Sequence, residues 1–244
     1  MQETIVTVEH LNARFGSNQV LRGVSARFRT GEISVILGAS GSGKTTILKH
    51  ILGLMPIQSG RVEIFGRELN SLPDAEFDEI RTRLGMLFQE GALLNSISVA
   101  SNTRVPIEQH TDLPDHLMDH MVMSKLRLVG LEKAAHILPN ELSGGMRKRA
   151  SLARALALDP ELLLCDEPSS GLDPLTSESL DKLLIQLKDA LGMTMIVISH
   201  DISSVRRVAD RVFFLHKGEI LFEGPMREAE SSDIPELRRY FEAS

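Results

Sequence analysis

Alternation of apolar and polar positions opens the chain. Ile5-Val6-Thr7-Val8-Glu9 and the stretch Val20 to Phe28 have the two-residue period of half-buried strands, and they predict an antiparallel piece. Ile33-Ser34-Val35-Ile36-Leu37 is more continuously apolar, as a strand covered on both faces must be. A helical stretch, Thr46 to Leu52, follows it. Gly60 sets off another strand, Arg61 to Gly66, and Leu84 to Gln89 reads as a further buried strand. From about Gly91 to Pro139 the texture changes: helical spacing runs from Asp115 to Leu131, and no strand of comparable apolarity occurs. A long helix from about Gly145 to Leu158 comes next, so the whole stretch of about 91–158 reads as an inserted helical lobe. Beyond it the strand Leu162 to Cys165, the helix Leu175 to Leu191 and the strand Met195 to Ser199 alternate. A hairpin, Val212 to Leu215 and Glu219 to Phe222, turns at Lys217-Gly218. This order predicts an α/β fold, a mostly parallel sheet covered on both faces, as a single domain over residues 1–244 with no internal repeat.

Bulk composition narrows the function classes. Hydrophobic content of 42% and charged content of 25% are ordinary for a globular chain. With no Trp, one Tyr and nine Phe, the core must be built mainly from Leu, Ile, Val, Ala and Met. A formal net charge of −6 argues against a nucleic-acid partner. The single cysteine, Cys165, excludes an internal disulfide and fits a reducing compartment. Met1 to Thr7 lacks a basic region followed by an apolar one, and the longest apolar runs are strand-sized. The expectation is a cytoplasmic chain that reaches a membrane only through another chain.

The densest chemical signal lies between the first buried strand and the first helix. Gly38-Ala39-Ser40-Gly41-Ser42-Gly43-Lys44-Thr45, followed by Thr46, is G-x-x-x-x-G-K-[ST] in the strand-to-helix context of a phosphate-binding loop. Glycines let the chain curl until several N–H groups point inward, and the positive end of the helix adds to the attraction. Lys44 is placed for the β- and γ-phosphates and the Thr45 hydroxyl for Mg2+, so the expected ligands are ATP and Mg2+. Downstream, the strand ending at Cys165 leads into Asp166-Glu167, which puts two carboxylates at the mouth of a parallel sheet. Asp166 is assigned to the metal and Glu167 to the base that deprotonates the attacking water. Ser143-Gly144-Gly145 opens the Arg- and Ala-rich helix; Ser is a favoured N-cap, and two glycines there expose N–H groups to a phosphate. His116 and His120 have a zinc-like spacing, but no third ligand is fixed by pattern.

In this order the motifs resemble the nucleotide-binding subunit of an ATP-binding-cassette transporter, over nearly the whole chain. The resemblance implies a RecA-like phosphate-loop NTPase fold with an antiparallel β piece and the helical lobe. It implies that Leu142-Ser143-Gly144-Gly145 contacts ATP held on the phosphate loop of a second copy, so that two ATPs lie sandwiched in a homodimer. Residue by residue, Phe15 is similar to the aromatic that stacks on adenine. Gln89 is similar to the glutamine that senses Mg2+ and the attacking water, and Asp173, in Ser170-Gly171-Leu172-Asp173, to the aspartate that crosses to the partner subunit. His200 is similar to the switch histidine on the γ-phosphate.

Within the family, Phe88 to Leu94, Pro106 to Thr111 and Leu142 to Ala150, with Met at 146, resemble the bacterial lipid-transport branch. That branch works with integral membrane permease subunits and a periplasmic lipid-binding protein of the mammalian-cell-entry type. Ser101-Asn102-Thr103 departs from the usual Glu-Asn-Val. The implied place is the cytoplasmic face of the bacterial inner membrane, held through partner subunits. A second reading is a cassette that serves another transport system, or one that regulates cell-wall enzymes or scaffolds iron–sulfur assembly.

Overall fold

The structure is a computed structural model that describes residues 3–242; Met1 and Gln2, the start of the segment read for a leader, lie outside it, as do residues 243 and 244. Strand β1 (Thr4–Phe15) pairs antiparallel with β2 (Asn18–Arg29), and alternate residues of both are buried. Strand β1 runs on past the alternating stretch with Leu11 and Ala13 still buried, and the register shift between Val8 and Leu11 breaks the two-residue period that would have shown it; β2 gains only Asn18, Gln19 and Arg29. Strand β3 (Ile33–Leu37) is buried along its whole length and feeds helix α1 (Lys44–Ile51). Then β4 (Ser59–Ile64) returns to pair with the other edge of β1, and β5 (Arg67–Glu68) adds to it. The result is a four-stranded antiparallel sheet in the order β2-β1-β4-β5.

Helix α2 (Asp74–Thr82) leads to β6 (Leu84–Leu87). Between β6 and β7 the chain is helical: α3 (Val99–His110), α4 (Asp115–Leu128) and α5 (Gly144–Ala155), with two short 3₁₀ turns. Helix α4 stops three residues short of the predicted Leu131. Gly130, at φ 71°, donates to the Arg127 carbonyl at 3.0 Å while Leu131 donates to that of Leu126 at 2.8 Å, the paired bonds of a left-handed glycine stop. Strand β7 (Leu162–Asp166), α6 (Pro174–Leu191), β8 (Thr194–Ser199) and α7 (Ile202–Val208) follow in alternation. The hairpin β9 (Arg211–His216) and β10 (Glu219–Pro225) turns at Lys217 and Gly218, both at positive φ, as a two-residue hairpin turn requires. Short helices α8 (Met226–Glu230) and α9 (Pro235–Glu242) complete the described residues.

The larger sheet has the order β10-β9-β3-β8-β7-β6, and all its pairings are parallel except that of β10 with β9. It separates two cores. Val35, Cys165, Val197 and Phe214 face one, beneath the lobe and α6; Ile36, Leu164, Ile196 and Phe213 face the other, which continues into the antiparallel sheet. This two-sided burial is why the strands read as unbroken apolar runs. Among the described residues no helix is long and apolar enough to cross a membrane.

Candidate functional site

Parallel pairing brings the ends of four strands to one edge. Leu37 lies opposite Ser199, Asp166 opposite Ile198, and Leu87 opposite Cys165, so the loops after β3, β6, β7 and β8 all open on that edge. Ligands of open α/β sheets bind there. Residues from four distant parts of the sequence thus meet on a scaffold that is buried on both faces.

The loop of residues 38–43 curls so tightly that side chains are excluded from it. A Cβ on Gly38 would stand 2.2 Å from the Leu215 carbonyl oxygen, and one on Gly43, at φ 108°, 2.7 Å from Leu21 Cδ2. Ala39, Ser40 and Gly41 are exposed at its crest, while Ser42 and Lys44 are buried. The Lys44 ammonium donates to the carbonyls of Gly38 at 2.7 Å and Ala39 at 3.1 Å. Burial pulls its pKa down, and the negative charges of Glu167 and Asp166 oppose that shift. Ser42 Oγ is buried with no hydrogen-bond partner among the described residues. An unsatisfied hydroxyl and a partly desolvated ammonium in a glycine cradle fit a phosphate chain. Thr45 Oγ1 donates to Asp166 Oδ1 at 3.4 Å. Burial raises the Asp166 pKa, partly offset by that hydrogen bond. A hydroxyl beside a hard carboxylate is a donor set that suits Mg2+. Thr46 lies on the first turn of α1, where its carbonyl accepts from His50 Nδ1 at 2.7 Å.

Glu167 adopts φ 50°, a left-handed conformation that costs a residue with a Cβ about 1–2 kcal/mol. Its backbone N–H donates to the Ile198 carbonyl at 3.0 Å, which ties the turn to the end of β8. Its carboxylate, only 13% exposed, meets Nδ1 of His200 at 2.5 Å. Gln89 is exposed in the loop after β6, and its carbonyl receives the Lys148 ammonium.

Ser143 caps α5, accepting from the Met146 N–H at 3.3 Å. Its two glycines differ. A Cβ on Gly145 would stand 2.4 Å from Thr176 Cγ2, so packing against α6 dictates that glycine. Gly144 has its nearest neighbour at 3.5 Å and is exposed, so its freedom is available to a ligand. Asp173 caps α6, accepting from the N–H groups of Leu175 and Thr176, both at 3.1 Å, and from Thr176 Oγ1 at 2.5 Å. These bonds lower its pKa. Phe15, at the end of β1, is 50% exposed, so it is not a core residue. It pairs with Asn18, which lines a cleft of about 380 Å³ together with Gly41 and His216.

Two contacts at this edge had no signal in the sequence pattern. Lys148 is one. The other is Tyr240 of α9, whose ring meets Phe214 edge-on at 5.5 Å and whose hydroxyl donates to the Gly38 carbonyl at 3.2 Å. In the lobe, Asn102 explains why the middle residue of Ser101-Asn102-Thr103 keeps the usual amide. It is buried, accepts from the Leu94 N–H at 2.8 Å and donates to the carbonyls of Leu94, Ile97 and Ser98.

Residues 21–170 match the ABC transporter family. The intermembrane phospholipid transport system ATP-binding protein MlaF of Haemophilus influenzae is 39% identical over 235 residues, covering 96% of this chain and 89% of that protein. The probable ribonucleotide transport ATP-binding protein mkl of Mycobacterium leprae is also 39% identical over 235 residues, but only 68% of it is covered. Among solved structures, a dimeric ATP-binding cassette in a post-hydrolysis state, bound to ADP and Pi, superposes with a TM-score of 0.82 at 31% identity, covering 91% of this chain and 99% of that one. Sheet order, loop placement and kinship agree, and this chain belongs to the ABC transporter family as an ATP-hydrolysing cassette.

Proposed function

We propose that this chain is the ATPase subunit of a membrane complex that moves phospholipid, and that Glu167 is its general base. The observation that carries the catalytic part is the Glu167 turn. A strained backbone, an N–H anchored on Ile198 and a carboxylate held 2.5 Å from His200 fix one oxygen donor set beside the phosphate cradle. The lipid part rests on kinship: the chain covers nearly the whole of MlaF, whereas about a third of mkl has no counterpart in it.

Backbone N–H groups of residues 38–43 and the Ser42 hydroxyl cradle the phosphates of ATP. Lys44 exchanges the carbonyls of Gly38 and Ala39 for phosphate oxygens. Thr45 and Asp166 hold Mg2+, with Gln89 reaching it from the loop after β6. When bound, Mg2+ offsets the charge of the phosphate oxygens. Glu167 accepts the proton of the water that attacks the γ-phosphate. His200 donates from Nδ1 to the carboxylate, which it steadies, and lies on the γ-phosphate side of the site. Phe15 stacks on adenine, and Ser143, Gly144 and Asp173 of a second copy close the site. Permease subunits and a periplasmic lipid-binding protein handle the lipid, and they hold this chain at the cytoplasmic face of the inner membrane.

Replacing the chain in cells by its Glu167→Gln form tests the proposal at both levels. The amide keeps the shape but accepts no proton, so turnover of the purified protein should fall by roughly 10²-fold or more with ATP binding retained. The cells should gain the detergent sensitivity of a deletion strain. Near-normal turnover would move the base elsewhere; an intact permeability barrier in both strains would remove the lipid role.

A further inference from the structure

Lys148 sits on the first turns of α5 and is buried, with 8% of its surface exposed. A buried ammonium gives up its hydration and must find other partners for its donors. Here the partners are backbone carbonyls from two different loops. The ammonium donates to the Gln89 carbonyl and, at 3.4 Å, to that of Glu167. Burial depresses its pKa, and the negative charges of Glu90, Glu167 and Asp166 counter that shift.

The surroundings show what this bridge joins. The loop after β6 is held to α5 at three places. Gln89 is bound by Lys148. Gly91 lies so close that a Cβ on it would stand 2.6 Å from Ser151 Oγ. The Ala92 carbonyl accepts from Arg154 at 2.7 Å. Loop and helix are thus tied together, and α5 also packs on α3 and α4 of the lobe. On the other side, the Glu167 carbonyl accepts both Lys148 and the Ser170 N–H, at 3.1 Å. Its peptide belongs to the one-residue left-handed turn that aims the carboxylate.

We propose that Lys148 is a positioning residue that makes the Glu167 turn follow the Gln89 loop, so that a displacement of the lobe reaches the base through one ammonium. The proposal rests on Glu167 as the base. It assigns to Lys148 a task that no family motif named above covers, and it explains why a cation is kept in a buried position between two neutral carbonyls.

A double-mutant cycle on the full-length chain tests it, with Lys148→Met, Glu167→Gln, the pair, and Lys148→Arg beside them. Methionine fills the space without a donor. A misplaced base costs about 10- to 100-fold in turnover. Lys148→Met should show that loss in kcat while ATP affinity stays within about twofold. Lys148→Arg, which restores a charged donor, should recover most of the loss. Once Glu167 is Gln there is no base left to position, so Lys148→Met should lower the residual kcat of that chain no further. Equal factors for Lys148→Met in both backgrounds would overturn the coupling, as would a loss of ATP affinity in step with kcat. Should Lys148→Met fail to fold, Lys148→Gln, able to reach one carbonyl but not two, enters the same cycle. Normal turnover in Glu167→Gln would sink the base assignment itself; an inactive Glu167→Gln with an additive cycle would sink only Lys148.

Discussion

Gly144 and Gly145 are adjacent in the sequence, yet the structure asks different things of them. Gly145 is squeezed against Thr176 Cγ2, at 2.4 Å from where its Cβ would stand, and Gly144 has ordinary room. Overpacking of this kind costs about 1–3 kcal/mol. Gly145→Ala should therefore lower the melting temperature by several degrees, and adding Thr176→Ser, which removes the offending methyl but keeps the hydroxyl on Asp173, should restore it. Gly144→Ala should leave the melting temperature unchanged, since a methyl there meets Leu172 only in ordinary contact, and should lower ATPase activity by crowding the proposed nucleotide. Calorimetry with turnover assays separates the two. A Gly145→Ala chain that melts like the parent would show that α5 and α6 shift apart freely.

Among the elements, α9 has the most indirect relation to the site. Its Tyr240 hydroxyl reaches the carbonyl that also accepts Lys44, at the first residue of the phosphate loop. In the proposed reaction Lys44 leaves this carbonyl for a phosphate, and Tyr240 would then keep it hydrogen-bonded. Tyr240→Phe preserves the ring contact with Phe214 and deletes the donor, at a cost of about 1 kcal/mol, or roughly fivefold in ATP affinity. Nucleotide titration checks this; unchanged affinity would leave α9 with packing alone. Neither Tyr240 nor Lys148 was legible in the sequence, and the reason is physical. Their acceptors are backbone carbonyls, 202 and 59 residues away, and a carbonyl is the same whatever residue bears it. What was legible depended on side-chain type: the continuous apolar strands β3, β7 and β8, the Lys-Gly hairpin turn and the loop of residues 38–45. Helix α3 stayed hidden because Pro106 lies within it and its buried face includes Asn102 and Thr103. Helix α9 buries only Leu237 completely, too little for a period to show. Tertiary packing, not local preference, makes both of them helices.

At the scale of the whole molecule, the sheet keeps its two cores apart and gathers the chemistry along one edge. Glu167 lies in that edge, nearly enclosed, with its carboxylate on His200 of the same chain. Ser143 is an exposed cap, and its hydroxyl serves the turn of its own helix. If each site combines Glu167 of one copy with Ser143 of another, the two defects are inherited separately. Chains with Glu167→Gln alone, or with Ser143→Arg alone, should form dimers without a working site. In a mixed dimer both lesions fall in the same site and the other is whole. Equal mixtures should regain roughly a quarter of the parent's sites, as random pairing with two-fold symmetry dictates. Activity no higher than that of either chain alone would mean that each copy works by itself. In a cell, two null alleles of this gene would then complement each other when one lesion lies at the cap and the other at the turn, and never when both lie on the same side.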